Sequence, residues 1–200
     1  FRQLLDFRQV DGLAGWRGLG MLGLTTFPAL LVGAAAHGAI KERLFNPITV
    51  AIGLGAGGLA ILIIERRTRK GQLSGLDSLT WWHALFVGLF QCLALWPGVS
   101  RAAATILGGM LIGLERKTAA EYSFLAAVPA LTAAAIFDLF QNLPSLHPPD
   151  AMFFGIGFFI AFLSAWMAVK FFLRLLSSHN LSPFGWYRIA VAFVVLFFLR

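Results

Sequence analysis

Apolar runs of roughly bilayer-crossing length follow one another along this sequence, separated by short clusters of charge, and no other feature constrains the fold so strongly. About 20 apolar residues carry a helix across the hydrocarbon layer. A spanning segment must also satisfy its own backbone hydrogen bonds, which a helix does. Residues 18–40, 47–64, 118–140, 151–173 and 184–199 read as five such spans. Charged residues make up only 12% of the 200, against about a quarter in an average soluble domain. The expected fold is therefore all-α and polytopic, a single integral membrane domain over 1–200. This composition excludes a disordered chain, a coiled coil and a disulfide-stapled module. Cys92 lies in an apolar run and, as the one cysteine, permits no internal disulfide.

The formal charge of +7 raises nucleic acid as a partner. The basic residues sit at the ends of apolar runs, where they orient a membrane protein, so a nucleic-acid function is rejected. Residues 1–14 mix Arg2, Asp6, Arg8 and Asp11 with apolar side chains and read as an interfacial segment or the end of an earlier helix.

Residues 81–114 break the pattern. The stretch is apolar but interrupted at Pro97-Gly98, with Arg101 close behind. The arm Trp81–Trp96 has 16 residues and the arm Ala102–Leu114 has 13, each short of a span. They predict a re-entrant helical hairpin with its tip near mid-membrane. Broken backbone is tolerated there only where it lines a cavity or is buried in protein. The charges agree. With the 66–70 cluster in the cytoplasm, a hairpin returns Arg116 and Lys117 to that side. Arg2, Arg8, Arg17, Lys170 and Arg174 join them, leaving Lys41, Arg43 and Arg200 outside. A single crossing would invert the later charges and weaken the asymmetry.

The tip, Pro97-Gly98-Val99-Ser100-Arg101-Ala102-Ala103-Ala104-Thr105, is where chemistry concentrates. An Arg inside a membrane segment costs roughly 2.5–3.5 kcal/mol and calls for a partner, and its donor fork suits phosphate. Pro97-Gly98 leaves the backbone free to turn. Ser100 is a natural N-cap for a helix from Arg101, whose start offers free N–H groups and a positive dipole end. Thr105 lies on the same helix face as Arg101. Together these suggest an anion site for the phosphate or diphosphate of a lipid. The alternative is a Pro-kinked helix whose Arg101 pairs with a distant carboxylate; Glu121 and Asp138 either supply it or, as their place near a span's ends favours, are interfacial charges. Gln91, on the arm before the tip, either contacts the ligand or caps the hairpin. Glu65 reads as a solvated helix end. His37, His83, His147 and His179 read as interfacial or loop residues, and no His/Cys/Asp cluster has metal-ligand spacing. The pairs Gly53/Gly57 and Gly109/Gly113 could pack helices within one chain or between two copies in a homodimer.

The run Phe90-Gln91-Cys92-Leu93-Ala94-Leu95-Trp96-Pro97-Gly98-Val99-Ser100-Arg101, followed by Ala104-Thr105, resembles the PGxSRSxxT signature of bacterial undecaprenyl-diphosphate phosphatases, the bacitracin-resistance proteins. The stretches Leu44–Ile48, Glu121–Leu125 with Val128-Pro129, and Pro183-Phe184 with Tyr187-Arg188 extend the resemblance over essentially the whole chain. It implies a multi-pass enzyme of the bacterial inner membrane. Such an enzyme removes the terminal phosphate of undecaprenyl diphosphate and recycles the lipid carrier for peptidoglycan synthesis. It also implies a site facing the periplasm, between two re-entrant hairpins related by an inverted repeat, and dependence on Mg²⁺ or Ca²⁺. By this resemblance Arg101 and Ser100 are the catalytic residues. Arg101 holds the diphosphate, and Ser100 and Thr105 donate hydrogen bonds. Gly98, Val99, Thr105 and Gln91 form the substrate-binding set.

Two departures stand out. Ala102 occupies a position that is Ser in the family pattern, and nothing in residues 1–80 matches the family's Glu-rich N-terminal motif with its nearby Ser and His. The expectation is that the N-terminal portion, with the metal's ligands, is missing. A phosphate clamp then stands without acid, base or nucleophile. A histidine-dependent acid phosphatase is set aside, because no His follows Ser100-Arg101 closely. A non-catalytic transporter or scramblase of an anionic polyprenyl lipid is the alternative, since broken hairpins with helix N-termini aimed at an anion also build transporters.

Overall fold

The computed structural model describes residues 13, 15–68, 73–142 and 150–199. These form eight helices: α1 (Gly15–Ala35), α2 (His37–Leu44), α3 (Pro47–Arg67), α4 (Trp81–Cys92), α5 (Arg101–Leu111), α6 (Arg116–Asn142), α7 (Asp150–Ser178) and α8 (Ser182–Phe198). Four of them, α1, α3, α6 and α7, are long and apolar enough to cross a membrane. With 17 residues, α8 sits at the short end of the range for a span.

Local chemistry sets the helix starts. Asn46 has extended backbone and accepts a hydrogen bond from the Thr49 amide, with Pro47 in the first helical position of α3. Thr80 and His83 form a reciprocal capping box at the start of α4. Ahead of α3 the sequence reading needs correction. It extends the first span to residue 40 and ends it in a polar break at Lys41, Glu42 and Arg43. The chain instead turns at Ala36 (ψ 8°) and carries those three residues inside α2. Lys, Glu and Arg are good helix formers, so their charge marks where an apolar run ends and not where a helix ends.

The base of the α4–α5 hairpin is tied down by main chain. The Leu73 amide donates to the Gly113 carbonyl at 3.1 Å and the Glu115 amide donates to the Leu73 carbonyl at 2.9 Å. The Gly75 amide donates to Thr118 Oγ1 at 3.0 Å. Both ends of the hairpin therefore lie beside the start of α6. Glu65 is another correction. It is buried and forms an ion pair with Arg116, which also donates to the His179 carbonyl. The last turn of α3 is covered by the start of α6 and the α7–α8 connection, neighbours that a helix-end pattern does not reveal. Removing one partner of a buried pair leaves the other charge desolvated. Glu65→Ala is therefore expected to destabilise the protein by about 3 kcal/mol, and Glu65→Leu combined with Arg116→Met to recover much of it. Thermal unfolding in detergent measures both.

Small residues bring α3 against α8 and against the hairpin tip. A side chain on Gly58 would meet the Gly185 carbonyl, and one on Gly53 would collide with the Pro97 carbonyl. Gly109 makes room for Ala119. Gly53, Gly57 and Gly109 thus serve contacts within this chain. The core gathers Met21, Ile61, Ile106, Met110 and Tyr122, with the Tyr122 hydroxyl 2.5 Å from Thr25 Oγ1. The second half of α6 and almost all of α7 leave their side chains exposed, Phe-rich surfaces suited to lipid.

Candidate anion site at the broken hairpin

A single 3₁₀ turn, Leu93–Leu95, follows α4 before the chain reverses. The Val99 amide donates to the Trp96 carbonyl at 3.2 Å, closing a turn around Pro97-Gly98. Gly98 has φ 93°, and a side chain there would run into the Val50 carbonyl of α3. Both facts require glycine. Gly98→Ala is expected to destabilise by about 2–5 kcal/mol from left-handed strain plus overpacking, read as a lowered unfolding temperature. Ser100 also has a left-handed φ of 72°, unusual for a non-glycine residue and costing about 1–3 kcal/mol. Its carbonyl accepts from the Ala104 amide and its Oγ from the Ala103 amide, so it caps α5.

Arg101 follows the cap, half-buried. Its Nη1 donates to the Ser123 carbonyl at 3.2 Å. Among the described residues neither Glu121 nor Asp138 pairs with it, so a carbonyl dipole is what meets its charge. Thr105 is fully buried one turn below. Its Oγ1 is 2.6 Å from Ser123 Oγ and donates toward the Arg101 and Ala102 carbonyls at 2.9 and 3.2 Å. Thr105 and Ser123 thus fix the first turn of α5 from beneath. Gln91 is buried, with an Oε1 that has no hydrogen-bond partner among the described residues. It shares a cleft of about 210 Å³ with Arg101, Thr26, Ala94 and Leu95. Arg101 and Gln91 are therefore brought together, whereas Ser100 faces a neighbouring apolar cavity.

Gly98 and Val99 turn their carbonyls to a residue the sequence reading gave no role. Arg188 of α8 is buried, and its Nη2 donates to the Gly98 carbonyl at 2.6 Å and the Val99 carbonyl at 2.8 Å. Broken backbone leaves these two acceptors without a helical donor, and the guanidinium supplies it. Gly57 makes the approach possible, since a side chain there would collide with Arg188 Nη2. The available signal was a charge inside an apolar run, away from any basic cluster. Two guanidinium groups thus serve the tip. Arg188 holds its carbonyls and Arg101 stands at the start of α5, where leading N–H groups lack helical acceptors.

The divalent ion implied by the resemblance needs oxygen ligands. No group of three His, Cys, Asp or Glu side chains converges among the described residues.

Comparison with known proteins adds an independent finding. The family model described as "Bacitracin resistance protein BacA" matches residues 4–194. A protein of Nitratidesulfovibrio vulgaris (strain DP4) named undecaprenyl-diphosphatase is 50% identical over 186 residues, covering 93% of this chain and 70% of that protein. One of the same name from Maridesulfovibrio salexigens is 51% identical over 185 residues, with 92% and 70% covered. Another from Solidesulfovibrio magneticus is 48% identical over 198 residues, with 99% and 75% covered.

Proposed function

The chain belongs to the bacitracin resistance protein BacA family, and on that premise we propose that its broken hairpin is the phosphate clamp of an undecaprenyl-diphosphate phosphatase. It is a multi-pass membrane hydrolase acting on undecaprenyl diphosphate, which returns the lipid carrier to cell-wall synthesis. The observation that carries the role of the hairpin is the meeting of Ser100, Arg101 and the start of α5 at one break in the backbone. In the reaction, water adds to the terminal phosphorus and the anhydride P–O bond breaks. The lipid phosphate leaves with the bridging oxygen, and inorganic phosphate is the second product. Arg101 and the leading N–H groups of α5 neutralise charge on the diphosphate. The Gln91 amide orients it from the facing arm.

The hairpin is re-entrant in this reading. With 12 and 11 residues, α4 and α5 are each too short to span, and Leu73, ahead of α4, pairs with Gly113 just after α5. The basic residues at 66–67 and 116–117 lie at the base of the hairpin. Placed in the cytoplasm, they aim the tip toward the periplasm across the inner membrane. A second hairpin, related by an inverted repeat, supplies the groups that activate water. A homodimer would use the exposed faces of α6 and α7.

Phosphate release from undecaprenyl diphosphate in detergent with Mg²⁺ tests the reading. Release is expected. Lipid bound through Arg101 without release would favour a transporter or scramblase. Ser100→Ala removes a cap and is expected to lower kcat/KM by about 5–30-fold, equivalent to roughly 1–2 kcal/mol. If turnover vanishes while binding persists, Ser100 belongs to the chemistry itself.

A further inference from the structure

Behind the tip lies a cavity of about 150 Å³, lined by Ile106 and Leu107 of α5, Phe124 of α6, Phe172 of α7 and Phe184 of α8. Among the described residues Ser100 is its one polar lining residue. The Phe124 and Phe172 rings meet edge to face at 5.7 Å, forming one wall. The residues of the tip thus divide. Arg101 faces the cleft shared with Gln91, and Ser100, one residue earlier, faces an apolar chamber. An apolar cavity of about this size has room for a six-carbon ring. An isoprene unit has five carbons.

We propose that this chamber receives the first isoprene unit of the lipid, the one esterified to the diphosphate. The assignment rests on the phosphatase reading above and deepens it. A free phosphate or pyrophosphate has no use for an apolar chamber, whereas a prenyl diphosphate must place hydrocarbon directly beside its anionic head. The α5 start and the Phe-lined chamber offer those two chemistries on adjacent residues. Recognition of the lipid then lies in its first unit, with the rest of the chain running out toward α7 and the bilayer.

The test uses the full-length protein in detergent, with farnesyl diphosphate as substrate and inorganic pyrophosphate as a competitor that carries only the head. Leu107→Phe fills part of the chamber. It is expected to raise KM for farnesyl diphosphate about tenfold or more through lost apolar burial, and to leave inhibition by pyrophosphate unchanged. An unchanged KM, or a rise matched by an equal weakening of pyrophosphate, overturns the proposal. A farnesyl diphosphate analogue carrying a diazirine on its first isoprene unit decides the matter without any substitution. Photolabel on Phe124 or Phe172, displaced by unlabelled farnesyl diphosphate, supports the chamber, and label confined to α1 or α4 overturns it. If the unsubstituted protein releases no phosphate from farnesyl or undecaprenyl diphosphate, the phosphatase reading fails. The photolabel still decides the chamber.

Discussion

Arg101→Ala is expected to lower kcat/KM for undecaprenyl diphosphate by about 10²–10³, the loss seen when one preorganised donor to a developing anion is removed. The effect should fall on ligand binding and not on the fold. Arg101 is half-buried and spends one hydrogen bond on the protein, to the Ser123 carbonyl. Its removal leaves a single acceptor to be satisfied and relieves the cost of holding an unpaired cation inside the protein. The unfolding temperature in detergent should therefore stay the same or rise slightly. Arg101→Lys keeps the charge but loses the planar fork, and should restore only part of the activity. Unchanged affinity of Arg101→Ala for the lipid diphosphate, measured directly, would remove the clamp from Arg101.

Arg188→Met carries the opposite signature. It takes a donor from the Gly98 and Val99 carbonyls at once. A buried acceptor left without a donor costs about 1–3 kcal/mol, so the expected loss is about 2–6 kcal/mol, with activity lost as the tip rearranges. Thermal unfolding and protease cleavage near residues 96–100 both report it. Arg188→Lys, with a compact head in place of the fork, should recover a fraction of the stability. A variant as stable as the parent yet inactive would show that Arg188 meets the substrate and is not the brace of the tip. The two arginines serve the same short backbone segment, Arg188 through the Gly98 and Val99 carbonyls and Arg101 at the helix start that follows them. One is expected to control binding and the other folding.

Much of this was legible in residue order. Apolar runs of span length marked helices that the structure contains, four of them long and apolar enough to cross a membrane, because burial in hydrocarbon imposes a length and a composition that survive any detail of packing. Pro97-Gly98 marked the break and Ser100 the cap, since φ preferences and side-chain capping are local properties. The family resemblance rested on the same local segment and on matched stretches along the chain, and the comparison bears it out. The helical state of Lys41–Arg43 is not legible in residue order, because polarity marks the end of an apolar run and not the end of a helix.

The sequence by itself determined the class of fold, the position of the break and the guanidinium placed after it, all consequences of covalent geometry and of the bilayer's length scale. Tertiary structure alone decided what surrounds the break. Arg188 reaches Gly98 and Val99 across 90 and 89 residues of chain, and Glu65 finds Arg116 across 51. Gly53 and Gly57 prove to be seats for the tip. Thr105 proves to be buried and bonded to Ser123, one turn below Arg101. Partners so distant in sequence leave no periodicity or spacing to read. A buried polar group must be satisfied, but which group satisfies it is settled only when helices from separate parts of the chain pack together.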